Sequence, residues 1–341
     1  MNSSAQSQAL HDRSIVIDGL IYFSDGDASD LLAGGVTAAN VTVSDYRADP
    51  QRAFDEVCEW RERLRQPGCP WKLVLNAEDI VAAKAQGKVG LIMGWQSMRP
   101  IEDRIERIEA FAALGVRVMQ LTYNEANYIG DACLEARNSG LTNFGIEAIA
   151  RMNEVGVAVD LSHCGEQTTL DAAKYSKKPV LLTHANASAL QPRKRNKSDE
   201  AIKAVANSGG MIGISVHGFL NWEGDPQRPP SMEGFINNVK HVGKLVGYDH
   251  VGIGTDYPSV RSYDAVRHVI EMGEKFYAKS GGDFSRAFGH SVKARYPEGF
   301  DSARKMSNIT AALLDAGINE SDVEKIIGGN FLRILGEIWG G

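Results

Sequence analysis

Eight nearly unbroken apolar runs, rich in Val, Ile and Ala, recur along the chain. They are Ser14–Leu20, Val36–Asp45, Val89–Gln96, Val116–Asn124, Val157–His163, Val180–His184, Gly210–His217 and His250–Asp256. A strand wetted on one face alternates apolar and polar residues, whereas a strand covered on both faces reads as a continuous apolar run. These runs therefore predict buried parallel strands. Helix-period segments separate most of them, among them PIEDRIERIEAFAAL before the fourth, FGIEAIARMNEV before the fifth and SDEAIKAVANS before the seventh. Eight such strands with intervening helices predict an α/β fold, a TIM-type (β/α)8 barrel. No GxGxxG turn follows the first run, which disfavours a doubly wound nucleotide-binding sheet.

Punctuation refines this picture. Ser198 and Ser321 carry N-cap signals, the second with Glu324 at capping-box spacing. The stretch from Tyr257 to Phe300 holds Gly281-Gly282 and YPEG, is less regular, and predicts a lid-like insertion on the barrel rim. The tail, ITAALLDAGINESDVEKIIGGNFLRILGEIW, predicts two amphipathic C-terminal helices on the barrel's exterior. Length alone suggests two domains, but barrels with insertions reach 341 residues, so residues 1–341 are read as a single barrel domain.

A net charge of −6 argues against a nucleic-acid or anionic-membrane surface; Arg193-Lys194-Arg195-Asn196-Lys197 is the local exception. No run approaches the ~20 apolar residues of a membrane span. The first twenty residues lack a secretory pattern. Four irregularly spaced cysteines without a CxxC pair suggest neither disulfides nor a thiolate metal site, so a cytoplasmic location is expected.

In a parallel barrel the carboxyl ends of the strands form the active-site face. The runs deliver Leu20 to Tyr22, Ser44 and Asp45, Gln96, Tyr123 and Asn124, His163, His184, His217 and Asp256 to that rim. His163 and His184, 21 residues apart at the ends of consecutive strands, make a candidate site for a divalent metal. Asp256 is placed to accept a proton from a water, and Arg195 to pair with a substrate carboxylate. Together they describe hydrolysis of a small amide or ester. His217 is read as structural or supporting, and Cys133 as a packed loop thiol.

On its motifs the chain resembles the renal (membrane) dipeptidase family of zinc peptidases, over nearly its whole length. The resemblance rests on VIDG at 16–19, SGLTNFG at 139–145, MNEVGVAVDLSH ending at His163, LTHANA around His184, Arg195-Asn196, VGIGTD ending at Asp256, and GGNFLRIL. It implies an amidohydrolase-like barrel, a small carboxylated substrate and, often, a homodimer, for which FLRILGEIW offers an apolar surface. It also implies a paired-metal site that this chain lacks in part. Leu20 and Tyr22 replace the His-x-Asp pair, Gln96 the bridging glutamate, and Tyr123 a substrate-facing histidine. The expectation is one divalent ion, zinc, on His163 and His184 with Gln96 as a weak third donor, and the second metal position lost. Asp256 and Tyr123 are the expected catalytic residues; Arg195, Asn196 and Asn124 are expected to contact substrate.

Because Gln96, Tyr123 and Tyr22 are polar, and Asn124, Asn127, Cys133 and Glu135 adjoin them, the pocket reads as rebuilt for a different small molecule. Two further functions follow: a non-peptide amidohydrolase using one metal or none, and an inactive relative that only binds ligand.

Overall fold

The structure is a computed structural model, and it describes residues 3–222, 225, 227–228, 230–271 and 292–340. Its strands are β1 (Ile17–Ser24), β2 (Ala38–Thr42), β3 (Trp71–Leu73), β4 (Val89–Trp95), β5 (Val116–Gln120), β6 (Ala158–Asp160), β7 (Val180–Ala185), β8 (Met211–Ile214), β9 (Val251–Ile253) and β10 (Tyr257–Ser259). The ladder runs β10-β1-β2-β4-β5-β6-β7-β8-β9, with β3 paired to β4 outside that path. Every pairing is parallel. β9 bonds β8 through Gly213 and Gly252, and β10 bonds β1 through Ile21 and Tyr257. These two short strands are halves of one stave, broken at residues 254–256, and they close an eight-stave barrel. Each of the eight apolar runs contributes a stave, as expected; β3 and β10 are additional.

The runs overshoot the strands at their carboxyl ends for a local reason. In β6 the ladder stops at Asp160, whose carboxylate accepts from the Ser162 and Thr183 backbone N–H groups, both at 3.0 Å. The chain there follows its own side chain rather than the neighbouring strand. His163 is thus delivered by a short turn rather than by the strand itself.

Caps position the surrounding helices. Asp49 caps Pro50–Arg65 through Arg52 N–H at 2.8 Å, and Ser198 caps Asp199–Asn207 through Ala201 N–H at 3.0 Å. The cap expected at Ser321 belongs instead to Asn319, whose amide oxygen takes the Asp322 N–H at 3.0 Å. Asn and Ser cap equally well, and Asn319 has the extended backbone that a cap needs, while Ser321 lies inside the first turn.

The tail also differs from expectation. Helix Asn330–Trp339 lies under the barrel rather than on its exterior. Its Phe331, Ile334, Leu335 and Ile338 pack against Ile17, Ala38, Ile92, Val118, Ala158, Leu181 and Met211, which point inward near the amino ends of seven strands. Each such side chain contributes roughly 1.5–3 kcal/mol of burial. The apolar FLRILGEIW segment is therefore the floor of the core, and its apolar face is already covered.

Part of the expected rim insertion, residues 272–291, lies outside the described residues. Its described end returns at a turn over Lys293–Arg295, where the Tyr296 hydroxyl donates to the Asp256 backbone carbonyl. Among the described residues no helix is long and apolar enough to cross a membrane.

Candidate active site

A cavity of about 400 Å³ opens at the carboxyl ends of the strands. Its wall includes Tyr22, Gln96, Tyr123, Asn124, His163, Arg195, His217 and Asp256. His184 is fully buried behind His163 and is not part of that wall.

The two imidazoles meet edge to edge, with Nε2 of His163 3.1 Å from Nε2 of His184. Their other nitrogens fix the tautomers. The Thr183 hydroxyl lies 2.7 Å from the Asp160 carboxylate, which can only accept, so the same oxygen accepts from His184 Nδ1–H at 2.8 Å. His163 Nδ1–H donates to Asn124 Oδ1 at 2.8 Å. Both Nε2 atoms therefore present lone pairs to one another, an arrangement that repels unless a cation or a proton lies between them. Burial pushes both histidines well below the usual imidazole range, and the nearby Arg195 charge pushes the same way. Neutral imidazoles with outward-held N–H groups are the ligand form.

His163 and His184 present two donor nitrogens of the kind that hold a divalent ion. Two nitrogens on one tetrahedral zinc stand about 3.3 Å apart, close to the observed separation. Among the described residues, however, no group of three or more His, Cys, Asp or Glu side chains converges as a metal site. Leu20 is buried apolar surface and Tyr22 lines the cavity. Gln96 donates its amide to Thr42 Oγ1 at 3.1 Å, on the β2 side, so its side chain is held by a hydroxyl and not by the histidine pair.

Tyr123 stacks on His163 with ring centroids 4.2 Å apart and 24° between planes, and Tyr46 stacks on Tyr123 at the same separation. This pile holds the His163 ring flat against the cavity wall. Asn124, at φ +59°, turns its amide oxygen to His163 and also lies 3.6 Å from Cys133 Sγ, so the contact the structure gives it is to the histidine. Burial raises the Cys133 thiol pKa, as suits a packed loop thiol. Asn127 and Glu135, grouped with the pocket in sequence, brace their own loop. Asn127 bonds Leu121 O and Ile129 N, and Glu135 accepts from Ala126 N.

Arg195 is buried on the cavity wall, and its terminal nitrogens donate to the carbonyls of Ser162 and, at 2.8 Å, His184. Asn196 is turned away: its amide donates to Gln191 O at 2.9 Å and Leu220 O at 3.1 Å, and it is not part of the wall. His217 lines the cavity and accepts from Phe219 N at 3.2 Å, capping the short helix Gly218–Asn221.

Asp256 occupies the break between β9 and β10 at φ +55°, a conformation that a non-glycine residue adopts at some cost. The Leu20 carbonyl takes its N–H at 3.0 Å. Burial pushes its pKa up to about 7, against the Arg195 and Arg295 charges, with Asp18 adding to the rise. Asp18, fully buried and also raised to about 7 by burial, accepts from Thr255 N at 2.8 Å, Thr255 Oγ1 at 2.5 Å and Leu20 N at 3.1 Å. Sequence reasoning placed Asp18 and Asp160 inside motifs but missed their work; an acid two or three residues before a strand's rim residue, Asp18 before Leu20 and Asp160 before His163, was the available signal. For Tyr46 and Arg295, both on the wall, the sequence offered no comparable sign.

The fold is similar to solved barrels along nearly its full length. An amidohydrolase from Pseudomonas aeruginosa is 34% identical with a TM-score of 0.86, covering 98% of this chain and 99% of that one. A metallo peptidase from Rhodobacter sphaeroides, liganded with a phosphinate mimic of the dipeptide L-Ala-D-Ala, shares the fold at 20% identity, with a TM-score of 0.75 over 96% of this chain and all of that one. Fold and site thus define an amidohydrolase-like α/β barrel. Residues 34–272 match the model of the membrane dipeptidase family, peptidase family M19, and Dipeptidase tcpJ of Claviceps purpurea (strain 20.1) is 30% identical over 267 residues, 77% of this chain and 54% of that protein. The chain belongs to the membrane dipeptidase family, a family of hydrolases. It spans about half the length of the curated dipeptidases it matches.

Proposed function

We propose that the protein is a metal-dependent hydrolase of dipeptidase type, cleaving a small amide or dipeptide that bears a free carboxylate. The observation that carries this reading is the pair of bare Nε2 atoms 3.1 Å apart, with each ring's opposite nitrogen committed to an acceptor. His163 and His184 would hold one divalent ion, zinc by ligand type, with Gln96 at most a weak further donor. When bound, that ion supplies Lewis-acid polarisation and a water of lowered pKa.

The chain's own groups do the rest. Asp256, with a pKa near 7, takes a proton from the attacking water and returns it to the leaving nitrogen. Arg195, held by two backbone carbonyls, offers its remaining N–H groups to the substrate carboxylate. Tyr123 clamps His163 through its ring and donates its hydroxyl to the amide oxygen. Asn124 acts by holding His163, and Asn196 by fixing the loop that carries Arg195.

Metal analysis of protein purified without chelators, joined to a dipeptide and N-acyl amino acid panel, tests the proposal. One equivalent of metal, lost in His163→Ala together with turnover, is expected. Full activity in a rigorously metal-free preparation would overturn it.

A further inference from the structure

The basic run from Arg193 to Lys197, the local exception to the chain's negative charge, is turned into the fold. Arg195, Asn196 and Lys197 are buried, and of the five residues Lys194 alone is exposed. Lys197 is 2% exposed. Its ammonium donates to the Cys164 carbonyl at 2.5 Å and to Thr169 Oγ1 at 3.2 Å, both uncharged acceptors. The Thr169 hydroxyl donates in turn to the Gly165 carbonyl at 2.9 Å, which leaves a lone pair for the ammonium. Backbone bonds fix the lysine from the other side: its N–H donates to Asn186 O at 2.9 Å, and Ser188 N–H donates to Lys197 O at 2.8 Å. An ammonium buried against neutral acceptors costs free energy that an apolar side chain would not. What Lys197 adds is therefore a donor at a fixed place, not packing.

That place is the turn that carries His163. Beyond the end of β6 its carbonyls are held one by one. Ser162 O accepts from Arg195, His163 O from Cys133 N–H at 2.9 Å, and Cys164 O from Lys197. Arg195 also holds His184 O, whereas the Lys197 ammonium is bonded to the His163 turn and the helix after it. His184 has separate anchors: its backbone N–H donates to Ser162 Oγ at 3.1 Å and its Nδ1–H to Thr183 Oγ1 at 2.8 Å.

We propose that Lys197 is a positioning residue for His163: by fixing the Cys164 carbonyl it holds the turn that sets the His163 ring against His184. The inference rests on the proposed function for its zinc measurement, while the ring tautomer in metal-free protein tests it independently. Zinc affinity of the full chain would be measured by competition with a chromophoric chelator. Lys197→Met, unbranched and of similar length, is expected to bind zinc about tenfold more weakly, as loss of a partner behind a ligand commonly does. Charge alone predicts the opposite, because the Lys197 cation depresses both imidazoles and its removal favours a dication. Lys197→Gln is equally neutral but keeps an N–H donor. It should bind zinc about threefold more weakly than the unsubstituted protein, and it carries the test if the methionine variant does not fold. In metal-free protein, nitrogen NMR of labelled histidines is expected to show His163 leaving its single Nδ1–H tautomer in Lys197→Met, as its ring slips from Asn124 Oδ1, while His184 keeps its own. Zinc affinity unchanged or raised in both variants, or tautomers that stay fixed or loosen together, overturn the inference. A native protein that binds no zinc yet shows the change confined to His163 counts against the hydrolase reading alone.

Discussion

Asp18→Asn separates the geometric task of a buried carboxyl from its ionisation. Both backbone donors, Thr255 N–H and Leu20 N–H, go to Oδ1, while Oδ2 takes only the Thr255 hydroxyl. Asparagine can keep Oδ1 in place and offer its NH₂ to Thr255 Oγ1, with the hydroxyl turning toward Leu20 O at 3.5 Å. The contacts survive, and the titration is removed. In the native protein the folded-state pKa, about 7, lies above the ordinary 3.8, so the folded state holds a proton that the unfolded chain releases. That stability is fully present below about pH 4 and is lost as pH rises through 7. A displacement of about three units corresponds to about 4 kcal/mol, roughly two thirds of it between pH 5 and 8. Urea unfolding followed by tryptophan fluorescence at pH 5, 6, 7 and 8 should show Asp18→Asn gaining about 2–3 kcal/mol on the native protein across that range. Asp256, which Asp18 helps to raise, should also ionise at lower pH in the variant, visible as a downward shift of the acid limb of turnover. A stability difference constant to about 0.5 kcal/mol from pH 5 to 8 would refute the reasoning, because it would mean that Asp18 is ionised throughout.

Three other outcomes are expected. Phe331→Ala should destabilise the fold by about 3–5 kcal/mol in denaturant unfolding, since the ring is buried among strand residues that cannot collapse inward. Thr183→Val removes the acceptor of His184 Nδ1–H and should weaken zinc binding by roughly 10–100-fold in competition with a chromophoric chelator. Asn196→Ala should lower stability by about 1–3 kcal/mol through two orphaned carbonyls and weaken N-acetylglycine binding indirectly, by loosening the Arg195 loop, and less than Arg195→Ala does, because its amide faces Gln191 and Leu220 rather than the cavity.

Eight buried staves were legible because parallel strands covered on both faces leave continuous apolar runs, and the rim residues followed from where those runs end. His163 and His184 were found this way, and the structure sets their rings in contact. What the sequence did not disclose depends on side-chain direction. Asn196 follows Arg195 directly, yet only one of them reaches the cavity. Gln96 stands at a ligand's position in the strand, and its amide nitrogen is turned to Thr42 on the β2 side. Arg295 comes from a segment without periodicity, so no pattern could aim it. The tail's helical period was readable, whereas its place beneath the barrel depends on which surface lacks cover, and that surface is assembled from seven separate strands.

The floor helix has a consequence for how the chain matures. Residues 330–339 leave the ribosome after every strand they seal, since synthesis exposes the staves one by one from the amino end. Until then Ile17, Ala38 and their inward neighbours surround an open apolar well. That well is filled only when Phe331 enters between Gly19 and Gly252. Asn330, donating to the carbonyls of Tyr248 and Val251 at 2.7 and 2.8 Å, latches that step onto the stave that carries Asp256. The same helix that fills the floor is therefore bonded directly to the stave that brings Asp256 to the rim.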